Sequence, residues 1–326
     1  MSALLTRRVL AVGLVLLGLA LPPFLDSGAL SVLIFLELNA VITVGVSLLM
    51  GYAGQVSLGQ AAFYASGAYA AALASLHGLP PLLGLTIAPL VAALFAALIG
   101  VALLRLRGHH LAFATLATQL IFLSVVGRME TTGGDIGLQG IPRLAAGPMR
   151  LESDVDYAYL SWIALALAVV ITRNLISSRP GRALRALATS EVAAESSGIP
   201  VGSYKLAVFA LAAGFAGLAG GIYAFYLGYI APGSFPALLS FEYIVMAVVG
   251  GLGTVEGAVT GAFIVTLLVQ GLAKAATIEG MPRCAPSVLS YAAYATLLIL
   301  TVRFAPKGLA GFQWRRAAGS RGAELS

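Results

Sequence analysis

Apolar runs long enough to cross a bilayer follow one another along this chain, and one charged stretch, Arg179 to Pro200, interrupts them in the second half. A hydrocarbon core of about 30 Å needs roughly 20 predominantly apolar residues per helix. Ten runs approach or reach that length: 9–25, 30–50, 57–76, 82–104, 110–127, 158–176, 205–229, 238–251, 255–273 and 287–302. Residues are 60% hydrophobic and 10% charged, whereas soluble domains are about a quarter charged. The expectation is an all-α polytopic membrane helix bundle: one transmembrane domain over 1–326 with about ten spans. The eighth run is short and glycine-interrupted, which suits a half-helix or re-entrant segment.

The interrupting stretch, RPGRALRALATSEVAAESSGIP, carries Arg182, Arg185, Glu191 and Glu195, too many charges for a lipid-buried helix. It still has helical composition. Alanine and leucine fill its middle, Pro180 suits a first turn, and Gly198 followed by Pro200 is a stop signal. The reading is one amphipathic rod over about 182–198, roughly 25 Å long. Held on the membrane surface between two spans, it is placed to pass force to a partner.

Charge distribution sets the orientation. With both termini cytoplasmic, Arg7, Arg8, Arg105, Arg107, Arg173, Arg179, Arg182, Arg185, Lys205, Arg303, Lys307, Arg315, Arg316 and Arg321 lie inside; Arg128, Arg143, Arg150, Lys274 and Arg283 lie outside. That asymmetry is what the positive-inside rule expects, and it makes the rod cytoplasmic and segment 128–157 external. A signal peptide is the alternative for the first run and would leave nine spans. Blocks 30–127 and 205–302 would then cross in opposite senses, the arrangement of an inverted repeat. The net charge of +6 is a topology signal and does not point to nucleic acid.

Several motifs break the apolar pattern. GYAGQVSLGQ offers Gly51, Gly54, Gln55, Ser57, Gly59 and Gln60 as candidate pathway or gate residues; GGLGTVEG offers Gly250, Gly251, Gly253 and Thr254. Non-helical backbone at membrane depth is tolerated where it lines a cavity or lies buried in protein; a tight cytoplasmic turn is the alternative. TTGGDIGLQGIP, with Thr132, Gly133, Gly134, Asp135 and Gly137, is an external docking or gate element or else a solvated loop. Glu37 and Glu242 are the ionisable residues inside spans, where charge is costly and faces a pathway or partner. Asn39 suits a hydrogen bond between helices, and Gly214, Gly217, Gly220 and Gly221 suit close helix packing. Trp162 and Trp314 read as interface anchors, and Cys284 as a packing residue.

No GxxxxGK[ST] loop occurs, and none of Lys205, Lys274 and Lys307 follows a glycine. His77, His109 and His110 have no companions at metal-ligand spacing, and neither a nucleophile elbow nor paired carboxylates are present. The expectation is a non-catalytic chain with no cofactor and no metal, and no tail large enough for a nucleotide domain. If ATP drives it, the ATPase is another polypeptide.

In combination these stretches resemble the inner-membrane permease subunits of ABC importers for branched-chain amino acids, of the LivM type. The matching segments are 51–72, LRGHHLAFATLAT at 106–118, 131–142, 181–209, 240–262 and RFAPKGLAG at 303–311. The resemblance implies a coupling helix, with Glu191, Ala193, Ala194 and Gly198 at the positions of the family's EAA…G pattern. It also implies two ATP-binding subunits, a sister permease or a second copy of this chain, and an extracytoplasmic solute-binding protein. The cargo would be a small molecule, and the site a bacterial inner membrane in contact with lipid. Departures are Gln60 where the family often has histidine, His109, His110 and Leu111 in place of aromatic residues, and Ser196 and Ser197 where apolar residues are usual. An ABC permease for urea or amides, and an ion-coupled secondary transporter using Glu37 and Glu242, are the competing readings.

Overall fold

The computed structural model describes residues 21–106, 108–146 and 149–275, with Gly18 and scattered positions between 292 and 303. Most of the first and tenth expected spans, together with Cys284, Trp314 and nearly all of 303–311, lie outside the described residues.

Among the described residues ten α-helices follow in order: α1 (Ser27–Tyr52), α2 (Gln60–Leu76), α3 (Pro81–Leu103), α4 (His109–Arg128), α5 (Asp154–Ser177), α6 (Arg179–Thr189), α7 (Glu191–Ser196), α8 (Val201–Leu227), α9 (Leu238–Gly250) and α10 (Val255–Ala275). Each of the eight central expected spans coincides with one of them. Seven stretches are long and apolar enough to cross a membrane among the described residues. The described residues also form two small antiparallel pairs: Leu138–Gln139 with Tyr229–Ile230, and Ala145–Ala146 with Met149–Arg150.

Helix α3 shows why this sequence suits lipid. Gly84, Ala88, Ala92, Ala96 and Gly100 recur every four residues and are buried, so they form one stripe. Leu90, Leu94 and Leu98, offset from that stripe, are 68%, 61% and 68% exposed. Lipid tails solvate such a face at no cost, and small residues let backbones approach. The stripe meets α8, where a Cβ on Gly217 would overlap Ala92 and the Ala88 carbonyl oxygen. On another side of α8, a Cβ on Gly220 would overlap the Tyr64 carbonyl oxygen of α2. Gly217 and Gly220, two of the four glycines expected to mediate packing, therefore do so by close approach, whereas Gly214 makes only ordinary van der Waals contacts.

Two ends of the bundle are distinguishable. At the basic end, Tyr52 Oη donates to the Gly253 carbonyl at 2.8 Å and Arg173 pairs with Glu256 at 2.8 Å. At the opposite end, Tyr157 Oη donates to the Phe225 carbonyl, and Leu138–Gln139 pairs with Tyr229–Ile230. The Arg173–Glu256 pair is exposed at both partners, so it contributes about 0–1 kcal/mol. Arg173→Ala is expected to leave the thermal midpoint in detergent within about 2 °C of the parent; a larger fall would show that the pair holds α5 to α10.

Candidate functional site

The segment after α1 is not a tight turn. Residues 53–59 are non-helical, with Ala53, Gln55, Ser57, Leu58 and Gly59 buried while Gly54 and Val56 are exposed. Burial thus alternates residue by residue from Ala53 to Ser57. Gly54, at φ +62°, lets the chain leave α1. The strip then climbs into the bundle: Leu58 N donates to Thr115 Oγ1 of α4 at 2.9 Å, and Ala61 N donates to Ser240 Oγ at 3.0 Å. Ser240 lies ten residues before the basic end of α9, about 15 Å above it. That is half the thickness of a bilayer core.

A second irregular segment descends from the other end. After α8, residues 229–237 pass through a short strand and a 3-10 turn, Pro232–Ser234. Phe235 is fully buried and packs edge-on to Tyr64 at 5.2 Å and to Tyr223 at 5.7 Å. Helix α9, 13 residues long, starts at this depth, as expected of a half-helix. The two breaks follow α1 and α8, the first members of the two blocks read as inverted. The N-termini of α2 and α9 thus meet near mid-membrane.

That junction is polar and uncharged. Ser240 Oγ donates to Gln119 Oε1 at 2.8 Å, and Gln119 Nε2 donates to the Pro236 carbonyl at 3.4 Å. Gln55 and Gln60 are 2% and 0% exposed, yet among the described residues neither amide has a hydrogen-bond partner. An unsatisfied buried polar group costs about 1–3 kcal/mol. Sequence reading missed Thr115, Gln119, Phe235 and Ser240. Only the proline- and glycine-rich run APGSFP around Phe235 signalled a break there.

The other expected site residues sort by position. Gly250, Gly251, Gly253 and Thr254 form the turn at the basic end, where a Cβ on Gly51 would overlap Gly253; this is the tight-turn alternative, away from mid-membrane. In the loop at the opposite end, Thr132 is buried and its hydroxyl donates to the Val126 and Met129 carbonyls. Gly133, Gly134 and Gly137 take positive φ, and a Cβ on Gly137 would overlap the Ile230 carbonyl oxygen. This loop, which includes Asp135, therefore clamps the start of the descending segment. Glu37 is buried against α5 and accepts from Ser161 Oγ, while Glu242 is half-buried on α9. Asn39 bonds Thr266 between α1 and α10 at 3.3 Å, as expected.

The charged stretch departs from a single rod. It breaks at Ser190, whose backbone is extended (φ −159°, ψ 116°), into α6 and α7. Ser190 Oγ accepts from Ala193 N and caps α7, a local bond that competes with helix continuation. Gly181, Leu184, Leu187 and Ala194 turn inward and are buried; Arg182, Arg185, Ala193 and Glu195 face out, and Val192 is 75% exposed. Glu191 forms an ion pair with Lys205, 9% exposed at the start of α8, which braces α7. Gly198 ends the segment at φ +79° with open space around it, so its role is conformational. Gly198→Ala is expected to cost about 1 kcal/mol through the left-handed backbone alone; an unchanged thermal midpoint would contradict that.

The profile of the family described as branched-chain amino acid transport system / permease component matches residues 28–302. The high-affinity branched-chain amino acid transport system permease protein LivM of Escherichia coli is 29% identical over 273 residues, 76% of this chain and 64% of that protein. The chain thus spans less than two thirds of that relative's length. A probable branched-chain amino acid transport permease protein LivH of Methanocaldococcus jannaschii is 26% identical over 87% of this chain and 92% of its own. Among solved structures, PsaBC from Streptococcus pneumoniae in complex with Fab covers 85% of this chain and 91% of its own at 16% identity and a TM-score of 0.47.

Proposed function

The chain belongs to the branched-chain amino acid transport system permease component family, and on that premise we propose that it is a membrane subunit of an ATP-driven importer for branched-chain or related amino acids. Its orientation has both termini and the basic end in the cytoplasm of a bacterial cell, as the distribution of Lys and Arg favours. Two ATP-binding subunits lie against that end. A sister permease, or a second copy of this chain, completes the membrane part, and a solute-binding protein delivers cargo to the loop containing Thr132–Gly137.

The observation that carries this reading is the build of α6 and α7. Their apolar residues, Leu184, Leu187 and Ala194, are spent on the bundle. What remains outward is Arg182, Arg185, Val192 and Glu195, a charged rim beside one large exposed apolar side chain. A surface with an apolar anchor and a polar rim is how protein interfaces are organised. The segment connects α5 to α8 directly, so a push on it reaches the helix whose glycines contact both α2 and α3.

Arg182→Glu combined with Arg185→Glu is expected to cut recovery of the ATP-binding subunits in co-purification at least fivefold, with the weakening greatest at low salt. Parental recovery would remove α6 from the interface.

A further inference from the structure

Buried side-chain amides that find no partner are rare in folded proteins, and among the described residues Gln55 and Gln60, five apart on one strip of backbone, are two of them. Gln60 opens α2 at the mid-membrane junction, and its own neighbour Ala61 is tied to Ser240. Gln119, in the same layer, satisfies its amide through Ser240 and Pro236. The unpaired state of Gln60 is therefore not a general property of the layer. Methionine has a similar shape and would fill the space without an unpaired polar group.

The surroundings define what would pair with it. Helix N-termini carry partial positive charge, and those of α2 and α9 both end here. Among the described residues the buried charged side chains are Glu37 and Lys205. Glu37 is tied to α5 through Ser161, and Lys205 is paired with Glu191 at the basic end. Glu242, on the same helix as Ser240, lies about 200° round its axis. An amide supplies both donor and acceptor. Phe235, Tyr64 and Tyr223 form an aromatic wall at the same depth.

We infer that Gln60, with Gln55 below it on the strip, forms a solute-binding station for a small net-neutral zwitterion that carries an apolar side chain. The solute carboxylate takes the Gln60 Nε2 donor between the two helix ends. The solute ammonium takes an amide oxygen, and the apolar side chain lies on the aromatic wall. The inference rests on the importer reading but goes beyond it: the membrane subunit contacts the solute specifically and is not a bare conduit.

The test is ATP-driven uptake of L-leucine into proteoliposomes holding the assembled complex and its binding protein, compared for the parent, Gln60→Met and Gln55→Met. Thermal midpoints of the same preparations are read alongside. The expected result is a KM for leucine raised about tenfold in Gln60→Met, since a hydrogen bond to a charged group is lost, with a thermal midpoint equal to or above the parent's. An unchanged KM overturns the station while leaving the importer reading intact. A lowered thermal midpoint, or a Gln60→Met complex that fails to assemble while Gln55→Met takes up leucine normally, assigns the amides a structural role and also overturns it. Absence of ATP-driven uptake of any neutral amino acid by the parent removes both the importer reading and the station.

Discussion

Gly220→Leu is expected to abolish accumulation of folded chain in the membrane. A Cβ at this position would overlap the Tyr64 carbonyl oxygen and crowd Ala68 N, both backbone atoms of α2. No rotamer relieves that overlap, so α2 and α8 must separate. Overpacking a core ordinarily costs about 1–3 kcal/mol, and a clash against backbone falls at or above the top of that range. Separation would also pull apart the tie from Ala61 to Ser240, because α2 carries Ala61. The check is the yield of monodisperse protein in detergent beside Gly202→Leu, a position with open space around it. Yield is expected to fall at least tenfold for the first and stay near parental for the second. Equal yields would show that the close crossing of α2 and α8 is not what holds the centre of the bundle.

Glu191→Lys is expected to lower ATP-driven uptake at least tenfold while membrane insertion and ATP hydrolysis persist. Helix α7 has six residues, too few to be stable alone. Three contacts fix it: the Ser190 cap, buried Ala194 and the pair with Lys205. The lysine side chain is 11% exposed and the glutamate 36%. Solvent screens the pair only in part, and a second lysine here replaces attraction with repulsion worth about 1–3 kcal/mol. α7 would then lose its fixed position against α8, and force applied there would not reach the bundle. The reversed pair, Glu191→Lys with Lys205→Glu, is expected to recover most of the uptake, a coupling that a double-mutant cycle reads directly. Failure of the reversal to restore any uptake would show that Glu191 acts by some route other than bracing α7.

The apolar runs marked α1, α3, α5, α8 and α10 in the sequence because each is long and uninterrupted, and length alone decides a lipid crossing. Depth was not legible. GYAGQVSLGQ has the composition of a surface turn, and only its bonds to Thr115 and Ser240, distant in sequence, carry the strip into the bundle. Phe235 escaped notice because one aromatic residue in a proline- and glycine-rich linker carries no periodicity. The break at Ser190 was legible in principle: serine followed by glutamate is an N-cap signal. The strong helix formers on both sides outweigh it, so the composition favours a continuous rod. The candidate site is thus an assembly of local irregularities, and hydropathy describes only the helices that frame it.

The most direct measurement is leucine uptake by proteoliposomes carrying this chain with the ATP-binding subunits, sister permease and binding protein proposed for it, set beside vesicles carrying this chain alone under a proton or sodium gradient. The account predicts uptake only in the first, dependent on ATP and on the binding protein. Accumulation by the lone chain without ATP would contradict it, and would place the driving force in an ion-coupled carboxylate such as Glu37 or Glu242.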